Sequence, residues 1–237
     1  MNRESTEGHD ARRTTTYFPA RSQYEKISLM TDRDSVFPAE FFHRQDESTD
    51  ELFYATPKMV THIDDATIRA LTQFYRERLT VGADVLDLMS SWISHLPVEL
   101  ELGRVAGLGM NAQELLANDR LSDWSVHDLN RDPELPYSDA SFDAVLNAVS
   151  IQYLVDPVAV FTSILRVLRP GGVSIVAMSH RCFPTKAIRV FHVTSGQERM
   201  EFIGRCDELA GFDTVQKLDR SPTGADPLWI VVARKAA

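Results

Sequence analysis

Cysteine is scarce in this chain: Cys182 and Cys206 are the only two among 237 residues. That number cannot build a disulfide scaffold, and a large acidic intracellular domain gains little from a single bridge, so free thiols are expected. No apolar run approaches the length of a bilayer span, and the amino terminus lacks the apolar core of a signal peptide. The expectation is a cytoplasmic protein without a membrane partner. Basic residues are outnumbered, 25 against 34 acidic, for a net charge of -9, and no Lys/Arg stripe is present. Nucleic-acid binding needs concentrated positive charge, so a nucleic-acid partner is not expected. His43, His62, His95, His127 and His192 form no HxxxH pair, and no metal site is expected. Neither the segment ADVLDLMSSWISHLP nor GLGMN supplies G-x-G-x-x-G, the glycine turn that a dinucleotide pyrophosphate requires, which weakens an oxidoreductase reading.

What is present is enough for one well-filled domain, at 43% apolar content. The most informative stretch runs from Phe142 to Met178, FDAVLNAVSIQYLVDPVAVFTSILRVLRPGGVSIVAM. It reads as a buried strand, a helix and a second buried strand, closed by Pro170, Gly171 and Gly172. Asp156 is placed to cap a helix that starts at Pro157, and Val158, Phe161, Ile164, Leu165 and Leu168 recur on one helical face. A strand, crossover helix and strand form a parallel pair, whose ligands bind beyond the strands' carboxyl ends. The chemistry is therefore expected just after Leu146 and Met178.

Residues 1–52 read as a flexible arm or lid. The first sixteen look disordered, and Tyr17, Phe18, Phe37, Phe41 and Phe42 are aromatics able to lie over the domain. From Phe53 onward the pattern is regular. Thr61 and Asp64 are spaced like a capping box, Ile68, Leu71, Tyr75 and Leu79 follow at helical steps, and Gly82 ends the helix. Strands are expected at Val85 to Leu88, with a helix-like stretch after it, at Val105 to Leu108, and around Trp124 to His127. This alternation defines a doubly wound α/β sheet. Ser195 to Leu209 reads as a helix stopped by Gly211. Thr214 to Leu218 and Leu228 to Ala233 are too close for a crossover helix and should pair antiparallel at the sheet edge.

The order VLDL, GMNAQELLAN, VHDLN, SFDAVLNAVSIQYL, ILRVLRPGG and a closing hairpin resembles the class I S-adenosylmethionine-dependent methyltransferases, most specifically the branch called methyltransferase type 11. The resemblance covers roughly residues 53–235. It implies a Rossmann-like seven-stranded sheet with an antiparallel last strand, the cofactor S-adenosyl-L-methionine (product S-adenosyl-L-homocysteine), and a small-molecule acceptor. One departure stands out. The family carries three alternating glycines after its first acidic residue, and this chain has Asp87, Met89, Ser90, Ser91 and Ile93, so the loop must take another path.

The resemblance also implies site residues. Ser90 and Ser91 would offer donors to the cofactor carboxylate from a helix amino terminus, with Met89 beside them and Asp87 facing the ammonium group. The alternative is an ordinary helix start, capped by Ser91 with Trp92 in the core. Gly109 stands near the family's ribose-binding acid, with Asn111 as the nearest replacement; the alternative is that Asn111 only caps the next helix. Asp128 and the Leu129 amide match the adenine contact, against a turn aspartate that bonds its own backbone. Asn147 and Ala148 sit where carbonyls face the ammonium. Tyr54, Lys58 and His62 lie in a segment that related enzymes fold over the cofactor, although Phe53, Tyr54 and Met59 also suit an anchor of the arm.

For catalysis, MSHRCFPTK concentrates reactive groups at the end of the fifth strand. His180 is the candidate general base, Arg181 a clamp for an acidic substrate group, and Tyr153 a rim residue. Cys182 reads as a packing thiol. The functional alternative is a degenerate, noncatalytic relative that acts as a binding or partner subunit, motivated by the glycine-free loop. The acceptor atom and the oligomeric state are left open by the sequence.

Overall fold

A computed structural model describes residues 33–237. The disordered reading of the first sixteen residues, and the roles of Tyr17 and Phe18, lie outside the described residues. Seven strands form one sheet: β1 Val85–Leu88, β2 Val105–Gly109, β3 Asp123–Val126, β4 Phe142–Ala148, β5 Leu168–Met178, β6 Thr214–Asp219 and β7 Trp229–Arg234. Their spatial order is β3-β2-β1-β4-β5-β7-β6. The first five run parallel, and β7 lies antiparallel between β5 and β6. This is the doubly wound architecture with the closing antiparallel hairpin expected from the sequence. The chain order reverses between β1 and β4, which opens a crevice beyond their carboxyl ends.

The helices are α1 Arg33–Val36, α2 Asp50–Tyr54, α3 Asp65–Arg78, α4 Ala112–Ala117, α5 Pro157–Val167, α6 Val190–Val193 and α7 Gly196–Ala210. Strand side chains alternate between the two faces of the sheet. Leu86 and Leu88 pack with Phe161, Ile164, Phe202 and Ile203 of α5 and α7. Val85 packs with Leu71, Phe74 and Tyr75 of α3 on the opposite face. Asp87, in phase with Val85, is the one polar side chain of β1 and is buried.

Local signals fix the helix ends. The Asp156 carboxylate accepts from Ala159 N, Pro157 occupies the first turn, and α5 stops at Val167, three residues before Pro170. Ser195 and Glu198 form a full capping box on α7, and Gly211 closes that helix at φ 97°, a left-handed value that glycine adopts without strain.

Three expectations need correction. Thr61 and Asp64 do not form a capping box. Asp64 is itself the cap, accepting from Thr67 N, while the Thr61 hydroxyl turns to the Ile63 carbonyl, so α3 starts one turn later than the spacing suggested. No helix follows β1; residues 89–104 are irregular. Trp92 is only half-buried, and its indole N–H donates to the Val60 carbonyl rather than packing in the core. The aromatics of the described arm do pack on the domain: Phe37 and Phe42 are buried, with rings 4.9 and 6.1 Å from Phe202. Both cysteines are free.

Candidate functional site

The rebuilt loop after β1 is held by side chains. Ser90 Oγ and Ser94 Oγ each donate to Asp87 Oδ2 at 2.6 Å, and Asn118 Nδ2 donates to Ser94 Oγ at 2.8 Å. A helix through this segment would break these bonds, and Met89 and His95 sit at φ 57° and 54°, outside the right-handed region. The Ser90 amide donates to the Leu108 carbonyl, which pulls the loop against β2. There a Cβ on Gly109 would stand 2.2 Å from the Ser90 carbonyl oxygen.

A cavity of about 1020 Å³, counting its open mouth, lies beyond the carboxyl ends of β1 to β4. Tyr54, Asp87, Met89, Ser90, Ser91, Asp128, Leu129, Ala148 and Tyr153 all line it. Backbone strain is concentrated at its wall. Five non-glycine residues among those described have positive φ, and four of them, His62, Met89, His95 and Val149, line this cavity. Such conformations persist where the surroundings enforce them and cluster at functional sites.

Burial pushes the Asp87 carboxyl up to about 6, against the pull of the Ser90 and Ser94 hydroxyls. The group is poised for a cationic neighbour, which would restore its charge. Asp128 faces the cavity while one of its oxygens accepts from Asn130 N at 2.9 Å, so the turn role and the cavity role coexist. Glu114, in the first turn of α4, is buried and lines the same wall; its carboxylate accepts from the Lys58 amide at 2.6 Å and the Ser91 hydroxyl at 2.5 Å. Burial, with His62 nearby, lowers His95 to about 4, and Nδ1 of its ring is buried without a partner among the described residues. Burial likewise lowers His62 below its ordinary value.

Four expected site residues do not line the cavity. Asn111 caps α4 through Gln113 N and Glu114 N, and its amide donates to the Tyr54 carbonyl, so every polar atom of the side chain is engaged. Asn147 is buried behind the wall, with Nδ2 3.3 Å from the Leu88 carbonyl. His180 and Arg181 turn away to Asp226, at 3.4 and 3.0 Å. The sequence reading missed Glu114 and His95. A carboxylate three residues after the Asn111 cap was the available signal for Glu114; nothing marked His95.

Residues 44–50, which include the cavity-lining Asp50, are anchored by buried charge. Lys186 Nζ, fully buried, lies 3.2 Å from Asp50 Oδ1 and 2.7 Å from the Ser48 carbonyl, and Arg44 grips the same Asp50 at 2.8 Å. Asn130 Nδ2 donates to Asp50 Oδ2 at 2.7 Å. Among the described residues no cluster fit to hold a metal ion is present, and no helix is long and apolar enough to cross a membrane.

The family whose sequence pattern matches the chain is described as a methyltransferase domain, over residues 92–176. A search of curated proteins finds no match. Solved structures share the fold at low identity. The chain resembles the (4+2)-cyclase SpnF with a TM-score of 0.56 and 20% identity, over 72% of this chain and 82% of the cyclase. It resembles Haemonchus contortus phosphoethanolamine N-methyltransferase 2, in complex with S-adenosyl-L-methionine, with a TM-score of 0.53 and 16% identity. That match covers 73% of this chain and 53% of the other. An S-adenosylmethionine-dependent methyltransferase from Mesorhizobium loti gives 0.50 at 18% identity, over 70% and 98% of the two chains. The domain therefore has the Rossmann-like fold of the class I methyltransferases, and the family match supports the resemblance read from the sequence.

Proposed function

We propose that this protein is an S-adenosylmethionine-dependent methyltransferase that acts on a small-molecule acceptor in the cytoplasm. The observation that carries this reading is the row of carboxylates Asp87, Glu114 and Asp128 along one cavity, in the rim order of β1, β2 and β3. Such a row matches an elongated ligand with an amino group at one end, a diol in the middle and an amino-substituted ring at the other. Asp128 and the Leu129 amide would hold the adenine, Glu114 the ribose hydroxyls, and Asp87 with the Ala148 carbonyl the ammonium group. Ser90, Ser91 and Tyr54 would surround the carboxylate end. Asn111 and Asn147 support these residues from behind, and His180 and Arg181 hold Asp226 in place of the catalytic roles the sequence suggested. The bound cofactor supplies a sulfonium methyl group, and the chain's own contribution is to align the acceptor and exclude water.

The close approach at Gly109 and the orphaned His95 nitrogen are consistent with a wall shaped for a ligand rather than collapsed. A second reading keeps the cavity without methyl transfer, as a noncatalytic binding or partner subunit. It is favoured by the glycine-free loop, where Asp87 is followed by Met89, Ser90, Ser91 and Ile93. A screen of small metabolites with radiolabelled methyl donor separates the two: labelled product supports the enzyme, and tight S-adenosyl-L-homocysteine binding with no labelled product from any class of acceptor supports the second.

A further inference from the structure

Beside the carboxylate row, the cavity has a second wall of different chemistry. Phe183 is its centre, half-buried and lining the cavity. Three rings pack around it: Phe53 at 5.3 Å, His62 edge-on at 5.4 Å, and Tyr153 nearly parallel at 5.8 Å. Val60 lines the adjoining mouth and is 49% exposed, so the approach is apolar too. Aromatic walls of this kind accept flat apolar ligands through offset or edge-to-face contact.

Two polar groups interrupt this wall. His62 lines the cavity at φ 65°, a strained value for a non-glycine residue, and its ring forms no hydrogen bond among the described residues. Lys58 Nζ sits 4.3 Å from the Phe53 ring centre and donates to the Phe53 and Thr56 carbonyls, at 2.6 and 3.3 Å. An ammonium has three donors, so one remains. A fixed cation on this wall opposes a second cation and favours an anionic oxygen. Lys58 thus disfavours a second cation at the aromatic wall itself, while Asp50 and Glu114 line the cavity beside it.

Resting on the methyltransferase reading, we propose that this wall is the acceptor subsite, that the acceptor is a flat aromatic hydroxyl compound, and that His62 is its general base. The acceptor O–H proton passes to a ring nitrogen of His62. The oxygen lone pair forms the new O–C bond, and the C–S bonding pair stays with sulfur. The products are an aryl methyl ether, a thioether and an imidazolium, so the charge of the sulfonium reappears on His62. Lys58 steadies the oxygen as it becomes anionic. Burial and Lys58 hold His62 neutral near pH 7, with Glu114 opposing them and His95 itself uncharged.

The test is a calorimetric titration of the protein, loaded with S-adenosyl-L-homocysteine, with 2-naphthol, naphthalene and 2-naphthylmethylamine. Histidine ring NMR signals are followed in parallel. The expected result is that 2-naphthol binds at least tenfold more tightly than either other probe, shifts the His62 ring signals, and weakens as pH falls through the His62 pKa. His62→Asn, which tolerates positive φ, should bind 2-naphthol without that pH dependence, and this separates His62 from Asp87. Phe183→Leu should weaken 2-naphthol and leave S-adenosyl-L-homocysteine binding unchanged. Equal or tighter binding of the amine, or an unchanged pH dependence in His62→Asn, would overturn the proposal. If S-adenosyl-L-homocysteine itself fails to bind, the functional reading falls, and the probe titrations on the protein alone still decide what the aromatic wall accepts.

Discussion

Gly109 and Ser90 meet backbone to backbone: a Cβ at Gly109 would lie 2.2 Å from the Ser90 carbonyl oxygen, closer than any side chain can be placed. This contact joins the end of β2 to the loop after β1 and sets the shape of the cavity between Asp87 and Glu114. Gly109→Ala must push the loop away. We expect a loss of roughly 1–3 kcal/mol, the usual range for inserting a methyl group into a filled space. Urea unfolding measures it, and a stability equal to that of the parent would show that the loop is free to move.

Asp87 gives a pH signature. Its carboxyl titrates near 6 in the fold against 3.8 when unperturbed, because burial disfavours the charge. The folded state therefore binds the proton more tightly than the unfolded one. The contribution of this group to stability rises as pH falls from about 6 toward 3.8 and is lost as pH rises back through that window. Its size is about 3 kcal/mol. Asp87→Asn should remove this component from the pH dependence of the melting temperature measured without ligand; a profile identical to the parent's would contradict the assignment.

Asp128 is a second probe of binding; one of its oxygens also anchors the turn through Asn130 N, a bond that Asp128→Asn keeps as a control. Asp128→Ala should weaken S-adenosyl-L-homocysteine on the order of tenfold, the scale of one lost charge-assisted hydrogen bond. Glu114→Gln should also weaken it, while keeping the Lys58 amide bond. Calorimetry reads both, and unchanged affinity in Asp128→Ala removes that residue from the site.

Lys186 is fully buried beside Asp50, within 3.2 Å of its carboxylate. Lys186→Met leaves Asp50 with Arg44 as its one cationic partner. The expected destabilisation is about 3 kcal/mol, the lower end for breaking a buried ion pair. Because Asp50 and Tyr54 line the cavity, ligand affinity should fall with it. Guanidinium unfolding with and without S-adenosyl-L-homocysteine measures both effects.

The parts of the fold that could be read from the sequence are those governed by local rules. Asp156 and Pro157 mark the start of α5, Gly211 ends α7, and a nine-residue separation dictates the antiparallel hairpin of β6 and β7. The loop after β1 was misread because its path depends on contacts distant in sequence. SSWISH has the look of a helix start, yet Ser90 and Ser94 are drawn to Asp87, Ser91 to Glu114, and the Ser90 amide to the Leu108 carbonyl. The same cause explains His180 and Arg181. They follow β5 where chemistry is expected, but Asp226, 45 residues beyond Arg181, draws both side chains away from the cavity. Glu114 was hidden behind Asn111, the nearest replacement for the family's ribose-binding acid, while the first turn of α4 supplied the carboxylate.

The most direct measurement is a calorimetric titration of the unmodified protein with S-adenosyl-L-homocysteine. Saturable binding of one molecule per chain, weakened in Asp128→Ala, is the predicted result. A folded protein that takes up no S-adenosyl-L-homocysteine at any concentration would contradict the account.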